Sequence, residues 1–179
     1  MKITLSGALG SGKSTVAKLV AQKLDLNHYS TGDFMREIAL KRKVTLLELG
    51  KLAETDPSVD KELDQRQISL GKEEDNFIID ARLGWHFIPD SIKVFLNVAD
   101  REAARRIFAE KRKDEKYNIT LKATLKNIKQ REESEIKRYQ QYYGINYFDL
   151  KNYDLVIDTT KLTAEKVAEK IIKFVRKKR

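Results

Sequence analysis

Four short apolar runs punctuate the chain, over residues 2–6, 77–80, 92–98 and 154–158. Each is too short for a buried helix and is rich in Ile, Val, Leu or Phe, so each reads as a strand covered on both faces. A weaker fifth run lies at 27–30. Between the runs, apolar residues recur at helical spacing. Over 15–24, Val16, Leu19, Val20 and Leu24 share one stripe, and residues 99–112 and 164–175 repeat the pattern. Strands alternating with helices in this way predict a parallel α/β sheet with helices on both faces.

Two segments break the alternation. Residues 32 to about 71 read as successive helices without a strand, and residues 113–143 as a long, highly charged helical hairpin. Each leaves the sheet between one strand and the next. In open α/β sheets ligands lie outside the carboxyl ends of the strands. Both excursions are therefore placed to cover a ligand, and they are expected to be the mobile parts of the molecule.

Composition narrows the class. At 179 residues, 41% hydrophobic and 35% charged with only two prolines, the chain suits one globular domain over 1–179 and excludes collagen-like and low-complexity classes. No apolar run could span a bilayer and the start has no signal-peptide pattern, so a soluble, cytoplasmic protein without membrane contact is expected. The absence of cysteine rules out disulfides and thiolate zinc sites. The net charge of +9 fits a solvated surface, nucleic acid or an anionic substrate equally well. The basic residues 173–179 suit the C-terminal end of a helix dipole.

The segment Gly7, Ala8, Leu9, Gly10, Ser11, Gly12, Lys13 and Ser14 satisfies G-x-x-x-x-G-K-[ST] in full, between a predicted strand and a predicted helix. Its glycines let consecutive backbone N–H groups turn inward on phosphates, and the helix opening at Lys13 adds its positive end. Lys13, read as surface-facing charge, reaches the β- and γ-phosphates, while the Ser14 hydroxyl binds Mg²⁺. Gly7 to Thr15 are thus the expected ATP site. Asp80, at the end of its strand, suits the task of holding a Mg²⁺-bound water.

The segment Ser30-Thr31-Gly32-Asp33-Phe34-Met35-Arg36 opens the first excursion. An Asn-Lys-x-Asp element for guanine is absent. In the Ser-Thr-Gly-Asp-x-x-Arg run the chain resembles nucleoside monophosphate (NMP) kinases, and the resemblance extends over essentially its whole length. It includes Asp80-Ala-Arg82, Arg105-Arg106, residues 131–138 and residues 154–160. It is nearest to cytidylate kinases of the short form known from archaea, on Arg131-Glu-Glu-Ser-Glu135-Ile-Lys-Arg138, Gln65-Arg66-Gln67 and residues 153–163.

The resemblance implies a P-loop NTPase three-layer sandwich with a five-stranded parallel sheet. It implies an NMP-binding excursion at about 32–71 and a lid at about 112–130. Thr31, Asp33, Arg36, Arg66, Arg82 and Glu135 would hold the monophosphate. Lys13, Arg106, Arg131 and Arg138 would act on the transferring group, and adenine would lie between Arg106 and residues 158–161. Arg112 and Lys116 fall in the lid without an assigned task. The implied reaction moves the γ-phosphoryl group of ATP to CMP or dCMP with Mg²⁺, in a monomer that binds no nucleic acid. Two features depart from the family. A long insertion of the bacterial enzymes is missing, and Leu83 stands where an aspartate touches the cytosine amine.

From spacing alone, Arg131, Glu135 and Arg138 share a helix face, where local ion pairing is the favoured reading. His28 and His86 are read as packing or surface residues. Adenylate or UMP kinase remains the alternative within the class. A P-loop nucleic-acid-binding ATPase, suggested by the charge, is the alternative outside it.

Overall fold

A computed structural model of the chain describes residues 1–110 and 120–178. Strands β1 (Lys2–Gly7), β2 (Asn27–Ser30), β3 (Phe77–Asp80), β4 (Ile92–Asn97) and β5 (Leu155–Asp158) form one parallel sheet in the order β2-β3-β1-β4-β5. The described helices are α1 (Lys13–Leu24), α2 (Thr31–Arg42), α3 (Leu46–Leu52), α4 (Pro57–Glu73), α5 (Gly84–Phe87), α6 (Asp100–Glu110), α7 (Leu121–Tyr143) and α8 (Ala164–Lys178).

The two-residue period of the strands sorts their side chains between two layers. Ile3, Leu5, Ile78, Val94, Leu96 and Ile157 point to one face, where Val16, Ala17 and Val20 of α1 and Val167, Ile171 and Val175 of α8 seal them. Phe77, Ile79 and Phe95 point to the other face, against Leu70 of α4, Ile88, Leu83 and Tyr147. β1 alternates most sharply. Its apolar Ile3 and Leu5 face α1 and α8, while Thr4 pairs with the Ser91 hydroxyl at 2.9 Å and Ser6 donates to the Arg82 carbonyl at 2.9 Å.

The first excursion is three helices, as its pattern predicts, and each start is capped. Ser30 Oγ accepts from Gly32 N, Thr45 and Glu48 form a reciprocal capping box, and Asp56 accepts from Ser58 N just before Pro57 at the first helical position. The second excursion differs from expectation. Residues 121–143 are one uninterrupted helix, not a hairpin. No glycine or proline occurs between Thr120, which caps its start, and Gly144, which ends it with φ 68°. Its antiparallel neighbour is α6, where Ala103, Ala104 and Ile107 pack with Ile128. The connection, with Arg112 and Lys116, lies outside the described residues. Among those described, no helix is long and apolar enough to cross a membrane.

All five strands run the same way, so Gly7, Ser30, Asp80, Asn97 and Asp158 end on one edge of the sheet. The chain leaves β1 toward β2 on one side, and β3 later crosses to β4 on the other. That reversal puts a crevice at the end of β1.

Candidate active site

The loop between β1 and α1 is shaped by backbone that only glycine tolerates. Gly7 has φ 144°, and a Cβ there would fall 2.2 Å from the Leu96 carbonyl oxygen of the adjoining strand. Gly12, with φ 85°, is the left-handed N-cap of α1. Ser11 donates to the Ala8 carbonyl at 2.7 Å. Lys13 is half-buried and folded back on the loop, where the sequence suggests a surface-facing charge. Its ammonium folds over the loop and donates to the carbonyls of Gly7 at 2.8 Å and Ala8 at 2.7 Å. Burial, joined by the nearby Arg82 cation, lowers its pKa to about 7. Ser14 and Thr15, at the same helix start, are exposed.

Asp80 closes β3 beside this loop, paired in register with Leu5 of β1 and Ser30 of β2. It is buried, accepts the Ser30 hydroxyl at 2.7 Å and lies 3.3 Å from His28 Nε2. Thr31 donates to the Asp80 carbonyl at 3.3 Å. Near the start of α2, Arg36 pairs with Asp33 at 2.7 Å, both half exposed. Arg66 of α4 reaches back to Glu37 of α2 at 2.6 Å, with its guanidinium over the Phe34 ring. His28 thus packs against Asp80.

The arginines converge on Glu135. This α7 carboxylate is 8% exposed, bonds Arg82 Nε, accepts from Arg131 Nε at 3.2 Å and lies 3.4 Å from the Tyr147 hydroxyl. Burial opposes its charge, yet Arg82 and Arg131 outweigh it and hold the carboxyl at about 2. Arg82 shows the mirror image. Burial would lower its pKa and Glu135 raises it above the ordinary guanidinium value. Local pairing along α7 is thus only half of the arrangement, because Arg82 arrives from the end of β3. The charges of Arg82, Asp80, Glu135 and Arg131 all act on Lys13.

Arg106 is placed elsewhere. Its Nε donates to Glu102 at 2.8 Å, while its Nη atoms donate to Thr159 Oγ1 at 3.1 Å and the Thr159 carbonyl at 2.8 Å. Thr159 in turn donates to the Ser11 and Asn97 carbonyls. Arg106 and Thr159 thereby tie the loop after β5 to the phosphate loop.

α7 also reaches the first excursion. Ser134 donates to Glu54 at 2.8 Å, Arg138 Nε lies 3.0 Å from Asp60, and the Tyr143 hydroxyl bonds Asp64. Burial lifts the Asp64 carboxyl to about 6 despite the Tyr143 hydrogen bond. A carboxyl raised in the folded state favours folding at acid pH and loses that benefit as pH rises through about 6. Asp64→Asn keeps an acceptor for Tyr143 without the charge. It should raise Tm at pH 7.5, with the gain shrinking toward pH 5 in thermal melts. A variant less stable than the parent at pH 7.5 would contradict this.

Two further residues escaped the sequence reading. Glu132 accepts a hydrogen bond from Leu9 N of the phosphate loop at 3.2 Å, so α7 touches the loop directly. Asp60 is a buried acid hidden among ordinary helix-surface residues. Its signal was a polar stripe of Asp60, Asp64 and Gln67 at helical spacing, on a helix whose opposite face is also polar.

The donors fit magnesium without a preformed cage. No group of three acidic or histidine side chains able to hold a metal occurs among the described residues. Mg²⁺ keeps most of its waters and takes its other ligands from phosphates, so an exposed hydroxyl such as Ser14 and one nearby carboxylate suffice.

A family model described as the cytidylate kinase-like family matches residues 2–161. A cytidylate kinase from Methanocella arvoryzae is 39% identical over 175 residues, covering 98% of this chain and 97% of its own. An S-adenosylmethionine-dependent nucleotide dehydratase from Lacinutrix mariniflava is 39% identical over 98% of this chain, which spans only 36% of that protein's length. Among solved structures, a shikimate kinase from Bacteroides thetaiotaomicron has a TM-score of 0.68 at 16% identity and 98% coverage of both chains, a likeness of fold. With a P-loop on a five-stranded parallel sheet and a match along nearly its whole length, the chain belongs to the cytidylate kinase-like family.

Proposed function

We propose that the chain transfers the γ-phosphoryl group of ATP to CMP or dCMP, with Mg²⁺, in the cytoplasm. The observation that carries this reading is the convergence of Arg82 and Arg131 on Glu135 within the electrostatic reach of Lys13. A donor loop facing a second anion site is what transfer between two phosphates requires. An ATPase driven by nucleic acid would instead spread its cations over an exposed track.

The acceptor phosphate is itself the nucleophile and is largely dianionic at neutral pH, its second pKa being about 6. No general base is needed, and the work left to the protein is alignment and charge. Gly7 to Thr15 hold the triphosphate, with Lys13 leaving its loop carbonyls for the β- and γ-oxygens. Ser14 and, through water, Asp80 would hold Mg²⁺, which would supply positive charge beside the transferring group. Thr31, Arg36 and Arg82 grip the acceptor phosphate. Glu135 keeps Arg82 and Arg131 aimed and offers a carboxylate to the acceptor ribose, while Arg131 and Arg138 close from α7. Asp33 fixes Arg36, Arg66 closes the acceptor pocket from α4, and Arg106 supports the adenine side.

The test is a coupled assay of ADP formation with CMP, dCMP, UMP, AMP and GMP offered singly. Turnover dominated by CMP or dCMP is expected. Dominance of AMP or UMP would move the acceptor to another base. Turnover that depends only on added nucleic acid would overturn the kinase reading.

A further inference from the structure

α4 carries Asp60, Asp64 and Gln67 at i, i+4 and i+7, which is one face of a helix. The contacts of Asp60 with Arg138 and of Asp64 with Tyr143 show that this face is turned toward α7. Glu135 and its arginines lie on the same side of α7, one turn before Arg138. The seam between the two helices therefore adjoins the acceptor site.

The seam is polar, largely buried and incompletely paired. Gln67 is 4% exposed and Asp60 5%. Gln67 Nε2 donates weakly to the Leu63 carbonyl at 3.4 Å, and Oε1 accepts from nothing. Turning the amide over would set Oε1 against that carbonyl, so the orphan is an acceptor in the better of its two orientations. Asp60 Oδ2 and Arg138 Nε, although 3.0 Å apart, are not aligned as a hydrogen bond. Among the described residues, four buried side-chain polar atoms lack a hydrogen-bond partner, and three of them belong to this seam. Buried acceptors left unpaired are costly unless a ligand completes them. The atoms left unpaired on the α4 side are both oxygens, so the complement is a donor.

Leu83 cannot supply this contact. Its side chain is 4% exposed in the cluster with Phe95 and Tyr147 and has no polar atom. We propose that Gln67 reads the acceptor base, its Oε1 accepting a hydrogen bond from an exocyclic amine such as the 4-amino group of cytosine. A 4-oxo base would set oxygen against oxygen. The inference rests on the monophosphate kinase reading and gives that site its selection of amino over oxo pyrimidines.

The test compares kcat/KM for CMP, for UMP and for the monophosphate of pyrimidin-2-one riboside, which is cytidylate without its amine. The parent should prefer CMP to the des-amino analogue roughly ten- to a hundredfold. In Gln67→Met that ratio should fall to within about threefold of unity, through the KM for CMP, with the KM for ATP unchanged. Gln67→Ala, which cannot overfill the seam, carries the same expectation should the methionine variant not fold. An undiminished ratio in a folded variant, or no such ratio in the parent, would overturn the assignment of Gln67 while leaving the kinase reading intact. Turnover of no monophosphate at all would overturn both.

Discussion

Replacing Lys13 by methionine should lower kcat for phosphoryl transfer by about 10²–10³, the usual effect of removing one charged donor from a transition state. Stability should hold or rise slightly. The ammonium lies half-buried with two carbonyl partners, and burial has already lowered its pKa to about 7. At neutral pH a buried cation is a poor contributor to folding, and an unbranched apolar side chain fills the same space without the cost of desolvation. Steady-state rates with the preferred monophosphate, measured beside a thermal melt, check both parts. A large loss of Tm would show the two carbonyl contacts to be structural, and an unchanged kcat would remove Lys13 from the mechanism.

Glu135→Ala should cost about 3–5 kcal/mol of stability, because it leaves Arg82 charged in a buried place without its partner. For a domain of this size that is a fall in Tm of about 10 °C. Replacing both members by apolar residues, as in Arg82→Met with Glu135→Leu, should cost much less stability than the single change and still abolish transfer. That split separates the structural task of the pair from its chemical one. The same pair shapes the acid limb of stability. Glu135 has its pKa brought down from 4.5 to about 2, so its contribution is complete above 4.5 and is lost as pH falls toward 2. Denaturant melts between pH 6 and pH 3 should show the difference between parent and Glu135→Gln narrowing with acidity. A constant difference would place the effect in packing.

The sheet, the phosphate loop and the helical character of the first excursion were legible because each rests on local pattern: apolar runs for β1, β3 and β4, glycine spacing for the loop, and a stretch without strand pattern for α2 to α4. The second excursion misled because charge density on α7 resembles a turn-rich surface. Its helix is continuous since nothing between Thr120 and Gly144 breaks it. Lys13 misled for another reason. A lysine in a glycine-rich loop looks exposed, and only the fold reveals two carbonyls close enough to hold its end. The α4–α7 seam was hidden too. Polar residues at helical spacing announce a wet surface, and the burial of Asp60 and Gln67 depends on a helix that starts dozens of residues later. What joins distant segments, such as Arg82 with Glu135 or Thr159 with Ser11, has no local signature.

α7 is also a lever. Its lower part is fixed to the phosphate loop, where Ile128 packs in one cluster with Ala8 and Leu9, and Glu132 takes the Leu9 amide. From Ile128 the rod continues to Tyr143, about 22 Å at the helical rise. A tilt of about 5° at the loop therefore carries the far end about 2 Å, more than a hydrogen bond survives. Any adjustment of the phosphate loop is magnified where Arg138 and Tyr143 meet α4, so one stiff helix couples that loop mechanically to the first excursion.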